Sequence, residues 1–425
     1  MHQDVSAIVP TIKGTPILRY GQHGYYFLNF KTHMGLRVTL GHKDVILPGV
    51  KRLFKSACRA NSRFPAIESL FRRYHNNFNF LEQMMLMTVP HNVTAIGNGR
   101  FLVNLWSYFG YLEVDCRDRN VTYHLLNSDE DDRVLGSQQF YDSERDERYY
   151  MTYSLSDSFE RGSIDQSPVS FRISKRNSST EAVREIWSGD FAHYTHDIVV
   201  NETRQYCVVP ELGMLEDSSG RIIPSKVLVV DMKSEKSWVI SKFIVAAHAQ
   251  FDPDEPDIIY FSSHNFMFKH SNIIKLLKNA IYDVELRGPA SVHKYQLTPE
   301  GPLALTDFSG PDFFKLTNFH VFKHREQKII SAIGSPNYIF LIDAESMELL
   351  NKIPVSHDQA AKKFKPIPSV VGTMAPSPDG EKIFVQTNRS FQVVDVASGM
   401  ADTVLNHRYN HTCANHMIAL SDVAW

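Results

Sequence analysis

The sequence is short of cysteine. Its 425 residues include four, Cys58, Cys116, Cys207 and Cys413, and no two of them form a Cys-x-x-Cys pair. That spacing excludes a zinc ribbon and a thioredoxin-type motif, and it points to free thiols in a reducing compartment. An excess of either charge is lacking too: 45 Lys and Arg face 47 Asp and Glu for a formal net charge of −2, which argues against a nucleic-acid binder that works through a broad cationic surface. No run approaches the roughly 20 apolar residues that span a bilayer. The opening, MHQDVSAIVPTIKG, lacks the basic start and apolar stretch of a signal peptide. The Asn-x-Thr triplets at Asn92 and Asn120 therefore read as chance, and a cytoplasmic location is expected. There is no GxSxG elbow, HExxH helix, GxxxxGK[ST] loop or strand-linked GxGxxG, and the GNGR run at 97–100 reads as a hairpin. Cys207 and Cys413 sit in apolar strand contexts and read as packing.

What the chain does have is ordinary core material, 43% apolar and 22% charged residues, arranged in a repeat. One strand motif ends in an acidic or polar residue: YLEVDCRDRN (Asp115), SFRISKRNSS (Ser174), VLVVDMKSEK (Asp231), IYDVELRGPA (Glu285), IFLIDAESME (Asp343) and FQVVDVASGM (Asp395). Between these anchors lies a second motif, a strand, a polar turn and an apolar strand. Its best example is TMAPSPDGEKIFVQTN, where Asp379-Gly380 predicts a tight turn. QQFYDSERDERYYMTYS, AHAQFDPDEPDIIYFSS and AIGNGRFLVNLW follow the same plan. Strands rich in Val, Ile, Phe and Tyr at this period predict an all-β single domain over residues 1–425, a seven-bladed β-propeller. Six repeats lie in the interior. The seventh would form when the strand after His416 joins the strands around YYFLNF and LRVTL, which removes the open edge. Two segments break the pattern. Residues 47–88 carry helical spacing with basic residues between, and predict a helical insertion that caps the ring or touches a membrane surface. FMFKHSNIIKLLKNA, 266–280, predicts a short helix.

Histidine is plentiful, nineteen in all. His196, His248, His320 and His416 head equivalent segments: THDIVVNETRQYCVV, AHAQFDPDEPDIIYF, FHVFKHREQKIISAI and NHMIALSDVAW. His91 falls within about a residue of the same register, and Ser137 and Thr373 occupy it in two other repeats. Strand heads of neighbouring blades converge on the central channel, where imidazoles could share a divalent ion at roughly 2.0–2.2 Å. Asp197 and Glu211 are candidates to orient a ring by accepting its other N–H. His264 and His411 are candidate acid or base groups at the channel mouth. His23, His324 and His357 read as surface residues. A histidine that only braced the blades should recur in every repeat, and this one does not.

Four histidines from different blades resemble the carotenoid cleavage oxygenases, which hold a ferrous iron with four histidines on a seven-bladed propeller. The resemblance implies Fe(II) on His196, His248, His320 and His416, and dioxygen activation on an apolar substrate. The segment HAQFDPDEPDIIYFSSHN, with FHVF and APSPDGEKIF downstream, resembles the strand motifs of oligogalacturonate lyases. That likeness implies Mn(II) on His248 and His320 with Gln250 beside them, Lys315 or Arg325 binding a uronide, and cleavage by β-elimination. A metal-dependent enzyme for a small-molecule substrate is thus expected, an oxygenase first and a lyase second. A metal-free interaction scaffold is the third reading.

Overall fold

The computed structural model describes residues 5–13, 23–29, 34–39, 90–97, 100–105, 110–115, 118, 120–125, 133–154, 169–191, 194–195, 197–212, 224–243, 245–264, 266–268, 284–286, 290–309, 316–334, 338–355, 371–387, 390–406, 411–412 and 418–421. Among them every regular element is a strand, and no helix is long and apolar enough to cross a membrane.

The interior repeats fold into six antiparallel sheets. Blade A comprises Pro90–Gly97, Arg100–Leu105, Gly110–Asp115 and Asn120–Leu125. Blade B comprises Arg133–Asp142, Glu147–Ser154, Val169–Asn177 and Val183–Phe191. In blade C the first strand is split into Tyr194–Thr195 and Val199–Val200, followed by Tyr206–Leu212, Ser225–Asp231 and Lys236–Phe243. Blade D comprises Val245–Phe251, Ile258–His264, Ser291–Thr298 and Gly301–Ser309. Blade E comprises Leu316–His324, Gln327–Gly334, Tyr338–Asp343 and Leu349–Pro354. Blade F comprises Val371–Pro376, Lys382–Thr387, Ser390–Asp395 and Ala401–Asn406.

A terminal sheet joins the two ends of the chain. Val5–Lys13 pairs with His23–Asn29, which pairs with Met34–Thr39. On its other edge Val5–Lys13 receives His411–Thr412 and Ile418–Ser421, with Ile8 opposite Ile418. First strands touch in sequence from blade A to blade F, then to Ile418–Ser421, and Val5–Lys13 touches blade A. The circuit is closed, and the fold is a propeller.

The acidic strand ends have a local cause. Asp231 Oδ1 accepts the N–H groups of Lys233 and Ser234 at 2.9 and 3.1 Å, and Asp343 Oδ1 accepts those of Glu345 and Ser346 at 3.0 and 2.7 Å. Asp395 accepts from Ser398 at 2.8 Å. Each carboxylate thereby closes the hairpin to the fourth strand. Four residues past each anchor the backbone turns left-handed, at Glu235, Met347 and Gly399, the conformation that ends such loops. In blade B this role falls to Asn177, which accepts from Ser179 and Thr180, while Ser174 lies within the strand opposite Tyr150.

Two expectations are corrected in blade D. Phe266–Phe268 is a strand that pairs with Val284–Leu286, so the helix expected over 266–280 does not begin there. IYDVELRGPA contributes to that excursion, and the third strand of the blade is Ser291–Thr298, whose Val292, Tyr295 and Leu297 are buried. The helix expected over 47–88 lies outside the described residues.

Alternate side chains of each strand serve opposite faces, so each sheet contributes to two cores. Cys207 and Val209 pack with Met151, Phe171 and Ile173 between blades B and C, while Val208 packs with Ile259 and Phe261 between C and D. Burial pushes the Cys207 thiol up to about 12, in accord with a packing role. Tyr260, Ile330 and Phe340 fill the D–E boundary, and Leu341, Met374 and Ile383 the E–F boundary.

The Asp379-Gly380 turn forms as expected, with Gly380 N–H donating to the Ser377 carbonyl at 2.9 Å. Gly380 has φ +70°, and a Cβ there would lie 1.7 Å from the Lys323 carbonyl oxygen of blade E. Gly380→Ala should therefore lower stability by more than about 1 kcal/mol in urea titration. An unchanged midpoint would show that the E–F contact is looser than described.

Candidate functional site on the inner strands

The first strand of each blade carries an irregularity at a corresponding place. Its register shifts between Pro90 and Val93 in blade A, Leu135 and Gln139 in B, Ala247 and Ala249 in D, Thr317 and Phe319 in E, and Val371 and Thr373 in F. In blade C the strand breaks between Thr195 and Val199. Bulges re-aim side chains and leave backbone groups outside the ladder.

His248 is itself the bulged residue, with φ 38°, a conformation a non-glycine residue rarely adopts. His91 and Ser137 lie at the bulges of their own blades. His320 does not. Its strand bulges at Asn318, so His320 corresponds in position to Gln250 of blade D and Met374 of blade F. The repeat register that equated His248 with His320 is therefore off by two residues.

The structure joins two of the candidates directly, His248 and Asp197, and holds a third, His320, on a separate partner. His248 Nδ1 donates to Asp197 Oδ2 at 3.0 Å, and the same oxygen accepts the Ala249 N–H at 3.2 Å. Asp197, at the break in the blade C strand, thus reaches across the boundary and holds both ring and backbone at the bulge. His320 Nε2 donates to the Met374 carbonyl at 2.9 Å. Burial pushes the His320 imidazole down to about 4; the Met374 carbonyl and Asp197 oppose that shift, and His248 adds to it. His320 is neutral at pH 7, with its proton on Nε2 and its lone pair on Nδ1.

Other candidates are placed differently. Gln250, expected beside a metal, uses both amide atoms on the next blade: Nε2 donates to the Val321 carbonyl and Oε1 accepts the Val321 N–H, each at 2.9 Å. Glu211 is buried and accepts the Lys226 N–H at 3.0 Å. His324, read as a surface residue, is buried and donates from Nδ1 to the Gly380 carbonyl at 3.1 Å. Arg325 is exposed near Glu381. The strands that contain His91, His264 and His411 are described in backbone only at these positions; His264 pairs with Val245 and His411 with Lys13. His196, His416 and Lys315 lie outside the described residues.

The described histidines can be compared with the bonding habit of metal-bound imidazoles. An imidazole that binds a metal characteristically donates its other N–H to a carboxylate or a backbone carbonyl. His248 does so to Asp197 and His320 to Met374. Among the described residues no group of three or more His, Cys, Asp or Glu is gathered around one point. His248 and His320 are thus two imidazoles oriented through one nitrogen each. Met374 could not have been singled out from sequence, since it acts through its carbonyl.

No family model matches the chain, and no curated protein matches it. Among solved structures it is similar to hydrazine synthase of Kuenenia stuttgartiensis, at 10% identity and TM-score 0.49, over 72% of this chain and 76% of that one. It is likewise similar to a Bacteroides fragilis protein provisionally assigned as a 6-phosphogluconolactonase, at 10% identity and TM-score 0.49, over 99% and 98% of the two chains.

The low proton affinity of His320 has a pH signature. The unfolded chain takes this proton near 6.5, whereas the folded protein resists it down to about 4. Stability from this group is thus fully present above pH 6.5 and is lost as pH falls through that window, by on the order of 3 kcal/mol at most. In chelator-treated protein, His320→Gln should flatten the urea midpoint between pH 7 and 4.5 relative to wild type. An identical slope would place the titrating group elsewhere.

Proposed function

We propose that the protein is a propeller enzyme whose inner strands bind a divalent transition metal, Fe(II) foremost and Mn(II) as the alternative. On this reading the terminal sheet acts as the seventh blade. The supporting observation is the pair of imidazoles whose second nitrogens are held by Asp197 and the Met374 carbonyl. On this reading His248 and His320 would be ligands, with His196 and His416 to complete the set. A bound ion would supply Lewis-acid polarisation or, as iron, a site for dioxygen. Asp197 fixes the His248 tautomer by accepting its Nδ1–H. Burial keeps His320 unprotonated and available as a ligand. An apolar organic substrate suits the oxygenase reading, and a uronide the lyase reading.

A second reading has its own support. The bonds of His248 and His320 cross blade boundaries, as those of Gln250 do, which is what a metal-free scaffold with braced blades requires.

Metal titration of chelated protein separates the two. The enzyme reading predicts about one equivalent bound, an affinity about 10- to 100-fold weaker in Asp197→Asn, and no retention in His248→Ala or His320→Ala. Oxygen uptake with iron would mark the oxygenase, and turnover without oxygen the lyase. Binding of less than about a tenth of an equivalent of Fe(II), Mn(II) or Zn(II), with folding unaffected by chelation, would leave the scaffold.

A further inference from the structure

The boundary between blades A and B is built differently from the others. Its apolar cluster is small, Leu102, Tyr111, Leu135 and Tyr150 with Ile96 at the edge. Beside it stands a group of guanidiniums. Arg172, Ser174 and Arg176 alternate on one face of Val169–Asn177, and Arg176 lies in register with Arg148 on Glu147–Ser154. Sheet pairing thus sets two arginines side by side, and like charges directly opposite each other repel.

Most of these cations have an acid. Glu113 lies 3.1 Å from Arg100 and 3.3 Å from His124, Glu185 lies 2.9 Å from Arg172, and Glu181 contacts Arg176. Arg148 has none among the described residues. Its guanidinium carbon sits 4.8 Å from the centre of the Tyr111 ring and its Nη1 meets the Tyr111 hydroxyl. Tyr111 in turn stacks on His124 at 4.9 Å. Arg148 is only 7% exposed and Ser174 only 1%. Arg148 Nε, Arg176 Nε and Ser174 Oγ are all buried with no hydrogen-bond partner. Burial and the neighbouring Arg176 push the Arg148 guanidinium down to about 10, so it stays charged at neutral pH.

A buried guanidinium without a counter-charge is destabilising, and buried donors without acceptors add to that penalty. Here both occur on paired strands, and each of the three unmatched groups can donate a hydrogen bond. Donors that include two guanidiniums fit an oxyanion, because the planar guanidinium fork matches its oxygens. We propose that the A–B boundary is a binding site for a compact oxyanion, a phosphate group foremost, held by Arg148, Arg176 and Ser174. This site is separate from the inner-strand histidines and does not depend on their role.

The test is a titration of the full chain with sodium phosphate, against sodium chloride at equal ionic strength, read by calorimetry and by thermal shift. Saturable binding with a rise in Tm is expected for wild type. Arg176→Gln should weaken it by about tenfold or more, the scale of one lost charge-assisted contact. Arg148→Met should abolish the phosphate response and raise Tm in phosphate-free buffer, because an apolar side chain replaces an unanswered charge. Should Arg148→Met not fold, the half-buried Arg176→Gln carries the test alone. A simple phosphate monoester that binds more tightly than inorganic phosphate would identify a phosphorylated small molecule as the occupant; equal or weaker binding would identify the free ion. No response beyond the chloride control, or an undiminished response in Arg176→Gln, would overturn the proposal.

Discussion

First strands of neighbouring blades converge but do not pair as a sheet, and this constraint shapes much of the molecule. Their inner edges present N–H and C=O groups that no ladder satisfies. Side chains cross each boundary from blade A to blade F instead. Thr94 donates to the Gln139 carbonyl from blade A to B, and Arg204 of blade C clasps Asp142 of B. Asp197 of C holds His248 and Ala249 of D, Gln250 of D clamps Val321 of E, and His320 of E reaches Met374 of F. Buried polar bonds of this kind fix one arrangement, because a blade that shifted would leave each of these groups unpaired.

The same bonds also orient the histidine rings. A ring clamped through one nitrogen presents the other in a set direction, whether the clamp evolved for stability or for a ligand. His248 is held by its Nδ1 and His320 by its Nε2, so the two rings offer opposite nitrogens. Bracing and orientation are here one set of contacts. That is why the histidines support both a metal site and a scaffold, and why the two readings differ in what binds rather than in geometry.

The sequence made the local devices legible. Asp231, Asp343 and Asp395 end their strands because a short carboxylate reaches the next N–H groups, and Asp379-Gly380 turns because glycine accepts a positive φ. Such features depend on neighbours within a few residues. The inner-strand bulge was not legible, since one extra residue alters register without altering composition. His248 and His320 looked equivalent along the chain, yet the bulges at His248 and Asn318 place Gln250 opposite His320 in the repeat. Glu285 misled for a related reason: it does not end a blade strand but lies inside the short excursion strand Val284–Leu286, opposite Met267. The arginines at 148 and 176 are far apart in sequence, and only strand pairing reveals them as neighbours.

Two imidazoles fixed in opposite tautomers carry the metal proposal, and nitrogen-15 NMR of the histidine side chains tests this directly. At pH 7 in the chelated protein, His248 should carry a proton on Nδ1. His320 should be neutral, protonated on Nε2, and should stay so as pH is lowered well past the usual histidine range toward about 4. An Nδ1-protonated His320, or one that becomes cationic near pH 6.5, would contradict the described clamp and the metal site proposed on it.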